Sequence, residues 1–258
     1  MNNSMVGKIA LVTGGGSGIG QAACKAFAQA GAQVMVVDIN GAAAEATAEA
    51  VRALGGAAQA VAADVSQSAE VQGYVAATLS AFGRIDAFFN NAGIEGQVSP
   101  LAEYDEANWD RVIAINLKGA FLGLRYVLPV MIGQQSGSII NAASVAGTVG
   151  APGMAAYAAS KHAILGLTRT AAGEVGRQGV RVNAICPGPI QTRMMQSLAE
   201  QLNPAEPVAV LRANVARNPL GRYGEPDEVA RVVVFLASDD AAYVNGAAWL
   251  IDGGRTAI

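Results

Sequence analysis

Tyr157 and Lys161 stand four residues apart in Tyr-Ala-Ala-Ser-Lys, thirteen residues after Ser144. Residues i and i+4 share a helical face, so the phenol and the ammonium are expected side by side. Tyrosine normally titrates near about 10, and a close cation favours its anion. Such a pair can give and take a proton near neutral pH. The spacing alone is also met on helix surfaces that do nothing. It gains weight from the other end of the chain, where a strand-like run enters Thr13-Gly14-Gly15-Gly16-Ser17-Gly18-Ile19-Gly20. Together the two features point to a redox enzyme.

A glycine-rich turn between a strand and a helix lets the backbone approach a pyrophosphate, and the helix N-terminus offers it N–H groups. Gly14, Gly18 and Gly20 hold the spacing Gly-x-x-x-Gly-x-Gly, and Asp38 ends the next predicted strand eighteen residues later. The Asp38 carboxylate can accept hydrogen bonds from ribose hydroxyls and would repel a 2′-phosphate. No Arg or Lys stands at Gly15, Gly16, Ser17, Ile39 or Asn40 to receive such a phosphate. NAD(H) is expected in preference to NADP(H).

The elements that must position these groups follow from hydrophobic pattern. Short runs rich in Val and Ile at 9–12, 34–37, 57–62, 85–89, 138–141, 181–185 and 247–251 read as strands buried on both faces. Between them, 19–30, 41–54, 68–82, 109–131, 155–177 and 226–237 carry helical period. The alternation predicts an α/β fold, a doubly wound Rossmann-type parallel sheet of seven strands with helices on both faces. No domain boundary appears, so 1–258 is expected to form a single dinucleotide-binding and catalytic domain. The rhythm breaks at 190–222, which carries Pro204, Pro207, Pro219 and the adjacent Met194 and Met195. A segment of that kind beside the C-terminal strand edge is expected to act as a substrate lid.

Composition narrows the chemistry. The chain is 52% hydrophobic and 14% charged, with net charge −3, which argues against nucleic acid as a partner. No charge-free run is long enough to span a bilayer, and no basic stretch leads into an apolar signal core. No membrane partner and a cytoplasmic location are the expectation. Cys24 and Cys186 form no C-x-x-C and read as buried thiols. His162 is the sole histidine, too few for a His-based metal site or a Ser-His-Asp triad, and reads as a packing or subunit-contact residue. No Gly-x-Ser-x-Gly elbow surrounds Ser144, which disfavours a hydrolase. No metal site is expected.

The glycine loop, Asp64-Val65, Asn90-Asn91-Ala92-Gly93, Asn116, Ser144, Tyr157-x-x-x-Lys161 and Pro187-Gly188 stand in one order along residues 7–254. In this the chain resembles the short-chain dehydrogenase/reductase family. Three further stretches, Phe88 to Gly96, Arg222 to Glu225 and Asp239 to Asn245, resemble the levodione reductase group, which acts on cyclic ketones and secondary alcohols. The resemblance implies NAD contacts at Gly14, Ser17, Gly18, Ile19 and Gly20, and at Asp64 and Val65 beside the adenine. It implies that Asn91, Ala92 and Gly93 steady the sheet next to the cofactor. The nicotinamide would lie near Pro187, Gly188 and Ile190, its carboxamide at Thr192. A homotetramer built on the helices carrying Asn116 and Tyr157 is also implied.

The implied chemistry is exchange between a secondary alcohol and its ketone. Tyr157 would be the acid/base, its pKa lowered by Lys161 and by the oxidised nicotinamide. Lys161 would also hold the ribose hydroxyls. Ser144 would hydrogen-bond the substrate oxygen, and Asn116 would fix a water linking Lys161 to solvent. Ala146, Val149, Met154, Pro189, Met194, Met195 and Leu198 are expected as an apolar pocket wall, with Glu95 at its rim. They fit a neutral, moderately bulky small-molecule alcohol or ketone. Two alternatives remain at this stage: a 3-oxoacyl-[acyl-carrier-protein] reductase and a catalytically silent NAD-binding regulator.

Overall fold

The computed structural model describes residues 4–257; the expected domain 1–258 runs past these at both ends. The strands are β1 (Ile9–Thr13), β2 (Gln33–Asp38), β3 (Ala58–Ala62), β4 (Ala87–Asn90), β5 (Gly137–Ala142), β6 (Val180–Pro187) and β7 (Ala248–Ile251). They pair in the order β3-β2-β1-β4-β5-β6-β7, and each pairing is parallel. The expected seven-stranded doubly wound sheet is borne out. The strand order reverses between β1 and β4, and there the C-terminal strand ends open a crevice.

Successive strand residues face opposite sides, and with helices on both sides the central strands are mostly apolar. Val12, Val34, Val36, Phe89 and Ile140 pack on one side against α1 (Gly18–Gln29), α2 (Gly41–Ala53) and α9 (Pro226–Ala237). Leu11, Met35, Val37, Phe88 and Ile139 pack on the other. That side is covered by α3 (Ser68–Phe82), α5 (Gly119–Gln134) and α6 (Ala155–Val175). Helix starts follow local chemistry. Asn40 caps α2 by accepting from Ala43 N at 3.1 Å, and a Glu225–Glu228 capping box with Pro226 in the first turn opens α9.

The expected helix 109–131 is not one regular helix. Its first part is α4 (Glu106–Val112), followed by a π-helical turn at Ile113–Lys118 before α5 continues to Gln134. Asn116 lies in that turn, and π turns inserted in α-helices recur at functional sites. The rod Glu106–Gln134 is long and apolar enough to cross a bilayer by length and composition. Its most apolar window is 44% buried within the protein, as a core helix on the sheet. The broken segment after β6 folds into two ten-residue helices, α7 (Arg193–Leu202) and α8 (Pro207–Ala216).

Candidate active site

Loops at the C-terminal ends of β1, β2, β4, β5 and β6 converge on one side of the molecule. The first turn needs its glycines. Gly14 and Gly18 have φ of +64° and +52°, and a Cβ on Gly20 would strike the Gly14 carbonyl. Asp38 holds this turn in place, its Oδ2 accepting from Gly16 N and its Oδ1 from Asn40 N, both at 2.9 Å. Asn91 clamps the turn to the β4 end, donating to the Thr13 and Gly14 carbonyls at 2.9 and 3.3 Å. Ala92 N donates to Thr13 Oγ1. Asp64 lies past β3 with its carboxylate taken by Ser66 N, and Val65 is buried against Gly119. These residues fit a dinucleotide: close backbone approach at the turn, a helix N-terminus, and a carboxylate with unused acceptor capacity at the β2 end.

Lys161 is 4% exposed, and its Nζ donates to the Ala142 carbonyl at 2.7 Å, fixing it to the end of β5. An ammonium has three donors, so two remain for a ligand. Burial pulls its pKa down from 10.5 to about 8, opposed in part by Cys186. Tyr157 lies one helical turn earlier, with Lys161 Nζ 5.5 Å from its ring centre. Burial in the cavity pushes the phenol above 10; the Ser144 hydroxyl pulls it back in part, and the Glu95 charge pushes it further up. Within the protein alone, then, the phenol is shifted up. The ammonium faces the ring, and desolvation is the leading cause of the shift.

Ser144 follows β5, accepts from Ala146 N at 3.2 Å and is 8% exposed. Asn116 has a local structural task. Its Oδ1 accepts from Ile94 N at 2.8 Å, and its Nδ2 donates to Ile94 O at 2.9 Å and Ser160 Oγ at 3.2 Å. With its amide engaged in this way, it clamps the 93–94 backbone beside Lys161. A Cβ on Gly93 would lie 3.2 Å from Asn116 Oδ1 and 3.4 Å from Lys161 Nζ, which leaves little room for any larger residue.

Ser144, Tyr157 and Lys161 line one cavity of about 830 Å³, within the range of small-molecule sites. Ile19, Asn91, Gly93, Pro187, Gly188, Ile190 and Thr192 border it from the expected cofactor side. Thr192 touches the glycine turn: a Cβ on Gly18 would lie 3.4 Å from its Cγ2. The expected wall is brought together, with Ala146, Val149, Met154, Pro189, Met194, Met195 and Leu198 all on the lining. Glu95 is not on it; it acts on Tyr157 through charge alone. Asn214, Arg217, Arg255 and Thr256 also line the cavity, and the sequence offered no spacing signal for them.

Cys24 and Cys186 are free and buried, as expected, and burial pushes the Cys186 thiol up to about 11. His162 lies exposed on α6 with Nδ1 2.9 Å from the Ala158 carbonyl. Among the described residues no group of three or more His, Cys, Asp or Glu is placed to hold a metal.

Similarity to known proteins matches this geometry. The family model described as Enoyl-(Acyl carrier protein) reductase matches residues 14–256. Levodione reductase from Leifsonia aquatica is 47% identical, covering 97% of this chain and 94% of its own. A solved levodione reductase structure superposes with a TM-score of 0.96 at 46% identity, covering 98% and 99% of the two chains. Cyclohexanol dehydrogenase from Acinetobacter sp. (strain SE19) is 40% identical over 99% of this chain and 98% of its own. An NAD+-bound xylitol dehydrogenase structure superposes with a TM-score of 0.92 at 38% identity, covering 97% and 99%. With the glycine turn, Ser144, Tyr157 and Lys161 set around one cavity, the chain belongs to the short-chain dehydrogenase/reductase family.

Proposed function

We propose that this protein is an NAD(H)-dependent oxidoreductase that interconverts a secondary alcohol, cyclic or aryl, and its ketone. The observation that carries this reading is the shared cavity: an acid/base, a hydroxyl and a buried ammonium border it together with the 187–192 loop. The bound nicotinamide supplies or accepts the hydride. The chain must then orient the substrate oxygen and move one proton.

Tyr157 is the group for the proton. Held above its usual pKa, it is protonated at neutral pH and ready to donate to a ketone oxygen as that oxygen gains charge. In the oxidative direction its ionised form, the phenolate, takes the hydroxyl proton, so oxidation is expected to gain with rising pH. Ser144 donates to the same oxygen and fixes it beside the phenol. Lys161 would hold the ribose hydroxyls with its two remaining donors, while Asn116 keeps the backbone at Gly93 and Ile94 in register with it. Asp38 would receive the adenosine ribose. The wall around Met154, Met194, Met195 and Leu198 favours a ring or similar apolar skeleton, in keeping with relatives named for levodione and cyclohexanol. Helices α7 and α8 would serve as the lid.

A homotetramer is part of this reading. On the outer side of α6, a Cβ at Gly166 or Gly173 would meet nothing, and Phe121 of α5 is 42% exposed; a second copy fits these small and apolar surfaces. A cytoplasmic location accords with NAD chemistry. The test is direct: mix the protein with NAD+ and a panel of cyclic and aryl secondary alcohols, and follow NADH absorbance. Turnover on that panel is expected. Turnover confined to 3-oxoacyl thioesters of acyl carrier protein would assign the enzyme to carrier-bound reduction. Silence with both would favour a regulator.

A further inference from the structure

We propose that the cavity contains an anion subsite made by Arg217 and Arg255, and that the physiological substrate is a ketone or secondary alcohol carrying a carboxylate or sulfonate on its skeleton. The inference rests on the reading of this cavity as an alcohol/ketone site and narrows its substrate class. The two arginines lie thirty-eight positions apart in sequence, one at the end of α8 and the other past β7, yet both line the cavity that holds Tyr157.

Their surroundings do not neutralise them. Among the described residues neither has a carboxylate within salt-bridge distance, whereas Arg52, Arg84 and Arg222 each do. Arg217 also makes no side-chain hydrogen bond there. Arg255 places NH1 and NH2 3.4 Å from the backbone carbonyl and side-chain oxygen of Asn214, near the C-terminus of α8. A cation at a helix C-terminus is favourable, and this contact ties Arg255 to Asn214, itself a lining residue of the cavity. Asp252, the acid whose charge acts on Arg255, is engaged by Gly254 N, Thr256 N and Thr256 Oγ1 at 2.7–3.0 Å. Burial and then the like charge of Arg217 pull the Arg255 pKa down, with Tyr223 and Asp252 opposing. Guanidinium stays charged in proteins, so the two cations are held near each other. An anionic group between them relieves that repulsion, and the planar fork of arginine suits a carboxylate. Arg217 is solvent-exposed and Arg255 half-buried, so the pair sits at the open rim of the cavity, where a charged substituent could stay partly hydrated while the ring enters.

The test compares NADH-dependent reduction of two oxocyclohexanes of equal size, one a carboxylate and the other its carboxamide. In the wild type, kcat/KM for the carboxylate is expected to exceed that for the carboxamide by roughly 10–100-fold, the range of a charge-assisted contact. The ratio should fall towards one in Arg217→Gln and Arg255→Gln, recover in part in Arg255→Lys, and shrink with salt. Because Arg255 also tethers Asn214, the Arg217 variant decides if the Arg255 variants misfold. A carboxamide reduced as well as the carboxylate by the wild type, or a ratio unchanged in Arg217→Gln, overturns the subsite. If neither ketone is reduced, the alcohol/ketone reading itself has failed, and calorimetry still reads the subsite. Cyclohexanecarboxylate should then bind the NADH complex more tightly than cyclohexanecarboxamide, by a margin lost in Arg217→Gln; equal binding refutes it.

Discussion

Lys161 Nζ lies 5.5 Å from the centre of the Tyr157 ring and is anchored at 2.7 Å to the Ala142 carbonyl. The ammonium therefore faces the ring and belongs to the end of β5. Two titratable groups four residues apart are shifted in opposite directions by one cause. Burial disfavours the charged form of each, so it lowers the lysine and raises the tyrosine.

That opposition gives a pH prediction. The Lys161 pKa in the folded protein is about 8 against 10.5 for a free lysine. The unfolded chain binds the extra proton between those values, so the burden of the buried cation is full below about 8 and is relieved as pH rises towards 10.5. Lys161→Met should thus be more stable than the wild type at pH 7, by a margin that shrinks towards pH 10. NAD+ affinity of the wild type should weaken above about 8, and the variant should show no such limb. Calorimetric titration with NAD+ and denaturant melts across this range check both. A wild-type affinity that stays level to pH 10 contradicts the ammonium's role.

Asp38 carries the choice of cofactor. Asp38→Ala removes the acceptor for Gly16 N and Asn40 N, together with the charge that repels a 2′-phosphate. NAD+ should bind roughly 10–100-fold more weakly, and the NADP+/NAD+ ratio of kcat/KM should rise. An unchanged ratio would show that Asp38 does not meet the ribose.

Asn116 supplies a stability test with a catalytic consequence. Asn116→Ala strips the N–H and carbonyl of Ile94 of their partners inside the protein. A cost of about 1–3 kcal/mol is expected, and a Tm lower by roughly 2–4 °C for each kcal/mol. Turnover should fall as well, because Gly93 is then free to shift against Lys161. Full activity at an unchanged Tm rules out the clamp.

The sheet was legible because strands buried on both faces are apolar along their length, with the polar residue at the end, as in Ile9–Thr13 and Ala87–Asn90. The start of β4 was not. Ile85 is fully buried like a strand residue, but its N–H and carbonyl pair with the Gln134 side chain at 3.0 and 2.7 Å, a partner forty-nine residues away. The π turn at Ile113–Lys118 was equally hidden, since a shift in hydrogen-bond partner leaves the apolar pattern unchanged. Tyr157, Lys161, Ser144 and the glycine turn could be read from residue type and spacing. The sign of the Tyr157 shift depends on how deeply the cavity desolvates it, and Arg217 and Arg255 come to line one cavity only once β7 and α8 are in place.

The central claim is that Tyr157 moves the proton in a site that binds NAD independently of it. Tyr157→Phe leaves the ring packing in place and removes only the hydroxyl. The measurement is the kcat of alcohol oxidation alongside the calorimetric Kd for NAD+, wild type against variant. The predicted result is a kcat lower by about 10²–10⁴-fold with NAD+ affinity within a few-fold of the wild type. A variant that turns over at the wild-type rate would contradict the account.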